Sequence, residues 1–368
     1  MQIWNFGAGP AMLPQTVLKK IQSELLDWKL GMSVMEFGHR TKEIEGMFLK
    51  LEQNLRELLV IPSEFTVLFM HGGARAQFSA LPLNLLEPGE SADYITTGNW
   101  SNQAALEAKK FAEIRVALDI TETPTALIPP VSNWALSPKA KYVHYTDNET
   151  IEGIEFSTSP DLSGLPYKQH EANLIADMTS SILSKPIDWS KMGAVYASAQ
   201  KNLGIAGMCV LIIRNTWLKK TTKPIPAILD FALMAETKSM YNTPPVFACY
   251  VALLMTEWVI AQGGVPAMQA LCEQRSALLY NYINQSDFYI NTIDKTSRSR
   301  INIPFNIIQS KAAQLEPELL ALAAQLGFRQ LKGHRVKGGF RASMYNAMPL
   351  EGVQALIELL KQFEQKYR

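Results

Sequence analysis

Cysteine is scarce: Cys209, Cys249 and Cys272 are the only three in 368 residues, and no CxxC pair occurs. An odd number at wide spacing gives neither a disulfide framework nor a zinc pattern, so reduced thiols and a cytoplasmic setting are expected. Excess charge is missing as well. Lys and Arg number 35 against 34 Asp and Glu, which removes the cationic footprint on which nucleic-acid affinity rests. Any cationic site must be local. No stretch offers about 18 uninterrupted apolar residues, and Met1 to Pro14 contains no basic segment leading into an apolar run. Neither a membrane span nor a secretory leader is expected. Repeats, low-complexity tracts, charge blocks and metal-ligand clusters are also lacking.

Apolar residues make up 47% and charged residues 19%, the balance of a folded globular chain, and the length suits two packed domains. Helix-period stretches at Val17 to Trp28 and Lys42 to Leu59 alternate with short apolar runs at Phe65 to Met70 and Ala92 to Thr96. This alternation predicts an α/β sheet. The runs Asn173 to Ala176 and Ala194 to Ala197 continue it. Met208 to Ile213 follows too closely for a helical crossover, so it should run antiparallel to its neighbour. Beyond the helical patterns Val246 to Ala261 and Val265 to Ile283, strands at Arg300 to Asn306 and Gly339 to Tyr345 bracket a helix at Pro317 to Leu326. A last helix, Pro349 to Tyr367, completes a smaller α/β unit. The join between units is placed near Gly263, where a Gly-Gly pair interrupts two helical patterns.

Three segments carry candidate chemistry. Asn173-Leu174-Ile175-Ala176 ends in Asp177, at the strand terminus where parallel sheets present ligand-binding residues. About one crossover later, Ala194 to Ala199 leads into Gln200-Lys201-Asn202 and brings an amine to the same sheet edge. An acid that keeps a pyridine protonated, with a lysine that bonds an aldehyde, is the pairing that pyridoxal phosphate requires. A helix-capping Asp and a loop Lys explain the same two residues without a ligand. The third segment, His71-Gly72-Gly73-Ala74-Arg75, joins the strand Phe65 to Met70 to a helix, where small residues and a helix N-terminus suit a phosphate. It matches neither common nucleotide fingerprint, and a plain strand-to-helix turn is its ligand-free reading. Trp100 can stack on a planar ring or simply fill core, and Thr150 can bond a ring substituent or a turn. Two of five histidines precede arginine, at His39-Arg40 and His334-Arg335, with Arg341 close behind. Arginine forks bind carboxylate and phosphate, although surface placement is the commoner fate of any one arginine.

With these residues in view, the chain resembles the phosphoserine aminotransferases of the class V, fold type I aminotransferases along nearly its whole length. The resemblance rests on eight ordered segments: Asn5 to Ala11, His39-Arg40, His71-Gly72-Gly73, Asn148-Glu149-Thr150, Ala199 to Asn202, Asn242-Thr243-Pro244-Pro245, Lys332 to Arg335 and Arg341 to Ala347. It implies an α/β fold whose large pyridoxal-phosphate-binding domain, residues 16–262, holds a mostly parallel seven-stranded sheet. Residues 1–15 and 263–368 would form the small α/β domain. It further implies that Lys201 carries the cofactor and moves the proton, that Asp177 pairs with the pyridinium, that Trp100 stacks on the ring and that Thr150 bonds its phenolic oxygen. Ala74, Arg75 and Gln200 would contact the cofactor phosphate, joined by Asn242 and Thr243 from the second subunit of a homodimer. Arg341 would take the substrate carboxylate. His39, Arg40, His334 and Arg335 would surround the substrate phosphate or the distal carboxylate of glutamate. The implied reaction passes the amino group of L-glutamate to 3-phosphohydroxypyruvate, with 4-phosphohydroxythreonine as a second substrate in cofactor biosynthesis. Cysteine desulfuration, a rival within the class, needs a reactive loop cysteine, and none of the three cysteines is placed for it. A catalytically idle cofactor-binding protein is the rival outside it, and retention of Lys201 with the arginine set argues against that.

Overall fold

A computed structural model describes residues 2–123, 126–163, 174–308, 310, 312–335 and 337–368. Asn173, expected to open the strand that leads to Asp177, lies outside the described residues. Seven strands form the main sheet in the spatial order Phe65–Met70, Cys209–Arg214, Met192–Ser198, Leu174–Asp177, Val143–Thr146, Ser91–Thr96 and Glu113–Asp119. Cys209–Arg214 is antiparallel to both neighbours, and the remaining pairings are parallel. The short connection after Lys201 forces that reversal, as the sequence spacing predicts. Parallel strands must be covered on both faces, and each residue of Met192–Ser198 and Leu174–Asp177 is accordingly buried.

Helices Lys42–Leu59 and Val246–Ala261 cover one face, where Ile44, Leu51, Leu55, Val251, Met255 and Val259 pack on Val67, Phe69, Val195 and Val210. Helices Gly73–Leu85 and Asn99–Ala108 cover the other through Phe78, Leu81, Ala104 and Ala105, against Leu68, Met70, Tyr94 and Tyr196. Each fully buried Leu, Ile, Val or Phe side chain contributes about 1.5–3 kcal/mol. A separate core gathers Leu279, Ile303, Phe305, Leu319, Phe340 and Leu356, and Phe6 joins it from the N-terminus. Trp4–Asn5 pairs in parallel with Phe328–Arg329, which ties the N-terminal segment to this C-terminal region. Gly263, at φ +97°, breaks the helical run, and the helices on either side meet at 81°. Helix Gly264–Gln285 serves both cores: Val265 and Met268 belong to the first, and Leu279 and Ile283 to the C-terminal one.

Two helix boundaries differ from the periodicity. The first helix, Gln15–Glu24, stops before Trp28, because Trp28 and Lys29 turn back to bond Met32 around Gly31 at φ +77°. The helix expected from Pro317 spans Ala312–Gln325 with Pro317 inside it. Burial of Leu315 and Leu319 in the C-terminal core extends it past the proline's local preference for a helix start. Among the described residues no single helix is long and apolar enough to cross a membrane.

Candidate active site

The carboxyl ends of the parallel strands converge on a cavity of about 570 Å³. Asp177 closes Leu174–Asp177, Lys201 lies three residues beyond Met192–Ser198, and Trp100 opens the helix after Ser91–Thr96. All three line the cavity together with Ala74, Arg75, Thr150, Gln200, His334 and Arg341. Nine of the fourteen residues predicted from the sequence are therefore brought to one place.

Lys201 is only 7% exposed. Burial pushes its amine down to about 8, against the opposing pull of Asp177 and Glu149 and with a further push from Arg341. Its Nζ donates to Thr150 Oγ1 at 2.6 Å. Asp177 is buried too, and desolvation raises its carboxyl above the ordinary range while Thr179, Lys201 and Tyr196 pull it down. The Thr179 backbone N–H donates to its Oδ1 at 2.9 Å. A lysine near neutrality beside a carboxylate shielded from water is a nucleophile paired with a fixed negative charge.

Gly72 (φ +78°), just before helix Gly73–Leu85, and Gly73 (φ +64°), its first residue, occupy left-handed conformations, which glycine adopts without steric cost. A Cβ on Gly73 would come within 2.9 Å of Ser198 Oγ, so the loop packs tightly on the end of the strand that leads to the lysine. The helix start has no side-chain cap and no acidic residue in its first turn, leaving backbone N–H groups open to an anion. The Arg75 guanidinium lies 5.4 Å from the Trp100 ring centroid. Gln200 accepts a hydrogen bond from Ser198 through Oε1.

On the C-terminal side, Arg341 donates from Nη1 to the Thr150 carbonyl at 3.4 Å. Burial and the charges of Arg341 and Arg335 hold His334 below the usual imidazole value. Among the described residues, Trp100 Nε1 and Arg341 Nε, on two lining residues, are buried without a hydrogen-bond partner. Five predicted residues are not brought to the cavity. Arg335 is exposed beside His334, and Arg40 lines a different cavity together with Met240 and Tyr241. His39 is half-buried next to Arg40, Thr243 is exposed, and Asn242 Nδ2 lies 3.2 Å from His71 Nε2.

Several contributors had no role assigned from sequence. Ala8, Gly9 and Pro10 line the cavity; the Ala11 N–H bonds the Gln200 carbonyl, and Tyr345 Oη donates to the Ala8 carbonyl at 2.7 Å. Glu149 caps the helix carrying Trp100: its oxygens accept from the Trp100 N–H at 3.0 Å, the Ser101 N–H at 2.8 Å and the Ser101 hydroxyl at 2.6 Å. Burial and the charge of Glu152 push Glu149 up to about 8. Asn202 accepts from the Asn346 N–H at 2.9 Å and donates to the Ile182 carbonyl, joining the lysine loop to the segment that follows Arg341. The eight motifs held Asn5 to Ala11, Glu149, Asn202 and Asn346, but spacing alone assigns them no partner.

The model of the family described as aminotransferase class-V matches residues 3–356. The phosphoserine aminotransferase of Bacillus circulans subsp. alkalophilus is 38% identical, with 100% of this chain and 99% of that chain covered at a TM-score of 0.94. The pyridoxal-phosphate-bound phosphoserine aminotransferase of Trichomonas vaginalis is also 38% identical, with 98% and 100% covered and a TM-score of 0.91. An aspartate aminotransferase from Thermus thermophilus, 21% identical over 99% of each chain with a TM-score of 0.78, shares the fold.

Proposed function

This chain belongs to the class V aminotransferases, and we propose that it transfers the amino group of L-glutamate to 3-phosphohydroxypyruvate, giving O-phospho-L-serine and 2-oxoglutarate. The observation that carries the proposal is the juxtaposition, in one cavity, of a buried amine lowered to about 8, a buried carboxylate, an uncapped helix N-terminus and Arg341. Pyridoxal phosphate fits that set. Its phosphate suits the N–H groups at Ala74 and Arg75 with the Gln200 side chain, its ring the Trp100 face and its ring nitrogen Asp177. When bound, it supplies an electron sink for negative charge developing at the substrate alpha carbon.

The chain's own residues do the rest. Lys201 is the residue that would hold the cofactor, and its amine would move the proton at the substrate alpha carbon. Thr150, 2.6 Å from Lys201 Nζ, orients that amine and reaches the ring substituent. Asp177 would keep the ring nitrogen protonated. Arg341 takes the substrate carboxylate in a forked pair, with its unpartnered Nε available. His334 and Arg335 belong to the substrate phosphate or the distal carboxylate of glutamate, and so do His39 and Arg40. Asn242 and Thr243, outside the cavity of their own chain, complete the cofactor phosphate site of a second copy in a homodimer with composite sites. Lys201 and Asp177 then lie in a large domain of residues 16–262, and Arg341 and His334 in a small one of residues 1–15 and 263–368. 4-Phosphohydroxythreonine presents the same two anions and is assigned as a second substrate, in pyridoxine biosynthesis. Three buried free thiols support a cytoplasmic location.

Borohydride reduction of the purified holoenzyme followed by peptide mapping tests the site. The reduced cofactor is expected on Lys201. Recovery on another lysine, Lys185 included, sinks the assignment.

A further inference from the structure

Glu149 has no part in the proposed reaction, yet it stands between two of the residues assigned to the cofactor ring. It is fully buried and closes the short strand Asn148–Glu149, which pairs antiparallel with Ile154–Glu155. The turn around it is fixed from behind. Asn148 Nδ2 donates to Ser180 Oγ and to Asn302 Oδ1, each at 2.8 Å, and the Gly153 N–H bonds the Glu149 carbonyl at 2.9 Å. The next residue, Thr150, accepts from Lys201 Nζ at 2.6 Å and, through its carbonyl, from Arg341 Nη1 at 3.4 Å. The turn is thereby registered on both the lysine and the arginine of the cavity.

From that turn the Glu149 carboxyl group reaches the start of helix Asn99–Ala108. One oxygen accepts from the Ser101 N–H at 2.8 Å and the Ser101 hydroxyl at 2.6 Å, the other from the Trp100 N–H at 3.0 Å. Gly98 makes room for it, because a Cβ there would come within 2.7 Å of Glu149 Cδ. The indole of Trp100 has no comparable hold of its own. Among the described residues its Nε1 is buried without a hydrogen-bond partner, and the Arg75 guanidinium lies 5.4 Å from its ring centroid. Where the ring lies therefore follows from where its backbone is held.

We propose that Glu149 is a positioning residue for the reaction: by tying the backbone of Trp100 to the turn of Thr150, it holds the indole in register with the Lys201 amine, so that the slot for a planar cofactor ring is formed before the ring enters. The inference rests on the assignment of the cofactor ring to the Trp100 face. A glutamine at position 149 keeps the length but not the acceptors. Whichever way its amide turns, the NH2 meets a backbone N–H, that of Trp100 or that of Ser101, and the helix start moves away from it. The indole moves with the helix, and binding of the ring must reverse that shift.

The test is the pyridoxal phosphate dissociation constant of the holoenzyme, measured by equilibrium dialysis, with the visible circular dichroism of the bound cofactor recorded on the same samples. A buried donor left facing a donor corresponds to about a tenfold change in an equilibrium, so Glu149→Gln is expected to raise the constant about tenfold and to weaken the dichroic band. Trp100→Leu removes the indole but keeps the backbone N–H. In that background Glu149→Gln should cost the same in unfolding and change the dissociation constant by less than about twofold. Should the glutamine variant fail to fold, Ser101→Ala removes the 2.6 Å hydroxyl contact and leaves the acid in place; it should weaken cofactor binding only where the indole is present. If Trp100→Leu weakens binding while Glu149→Gln binds as wild type, or weakens binding equally with and without the indole, the positioning role is overturned and the cofactor assignment stands. If the wild-type protein binds no pyridoxal phosphate, or Trp100→Leu binds it as tightly, the assignment of the ring to Trp100 has failed and the role of Glu149 falls with it.

Discussion

Lys185→Met tests how the segment between the lining residues Thr146 and Asn148 is held. The Lys185 ammonium lies 2.9 Å from Asp147 and 3.3 Å from Glu155 and donates to the Phe156 carbonyl at 2.6 Å, with its side chain only 8% exposed. Burial works against this charge, but Asp147 and Glu155 outweigh it and hold the lysine above its ordinary value. Glu155 keeps a second partner in Arg300 at 2.6 Å, whereas Asp147 is left with the Ser181 hydroxyl. Methionine fills the space and leaves Asp147, whose carboxyl burial raises above its ordinary value even beside the lysine, without a cation. Breaking a buried pair from one side costs about 3–5 kcal/mol. With a urea m-value of about 3 kcal/mol per molar, the unfolding midpoint should fall by roughly 1 to 1.7 M. Lys185→Met/Asp147→Asn should recover much of that loss, because the second change removes the stranded charge. The assay is urea unfolding of the holoenzyme, with cofactor content measured alongside. A single variant destabilised by less than about 1 kcal/mol would refute the reasoning, and so would a double variant no better than the single one.

The site gives further expectations. Lys201 titrates near about 8, so covalent capture of cofactor by the apoenzyme should accelerate about tenfold per pH unit below that value and level off above it, since the neutral amine is the nucleophile; a pH-independent rate contradicts it. Glu149 has its folded value raised to about 8, so the stability linked to its proton is fully present below the unfolded glutamate value and is lost as pH rises through about 8. Glu149→Gln should flatten that decline in urea midpoints measured across the range, and an unchanged slope counts against the buried Glu149–Glu152 pair as its cause. Arg335→Ala and Arg40→Ala should each lower kcat/KM for the phosphorylated keto acid by about tenfold to a hundredfold, while Arg341→Ala should impair every amino and keto acid tried. Equal losses on phosphorylated and unphosphorylated substrates from Arg335→Ala and Arg40→Ala would mean that neither reads the phosphate.

Where a segment's environment repeats along the chain, the sequence revealed its form. Lys42–Leu59 and Val246–Ala261 have the limits that periodicity predicts, as does the strand Phe65–Met70. The reversal at Cys209–Arg214 followed from a loop too short to cross over. Boundaries failed where tertiary contacts overrode local preference, as at Trp28 and Pro317. In the site, Lys201 and Asp177 were legible because both follow apolar runs at strand ends. Glu149 was not, since its partners Trp100 and Ser101 lie 49 and 48 residues away. His39, Arg40, Asn242 and Thr243 share no cavity with Lys201 among the described residues, so their proposed roles have no geometry within this chain to read.

Steady-state amino transfer from L-glutamate, comparing 3-phosphohydroxypyruvate with hydroxypyruvate under identical conditions, reaches the central claim most directly. The two acceptors differ by one phosphoryl group, so their kcat/KM ratio isolates recognition of that anion. Two charge-assisted contacts of about 1.5 to 3 kcal/mol each predict a preference for the phosphorylated acceptor of at least a hundredfold. Equal kcat/KM for the two acceptors would contradict the assignment, leaving an aminotransferase whose arginines serve some other anion.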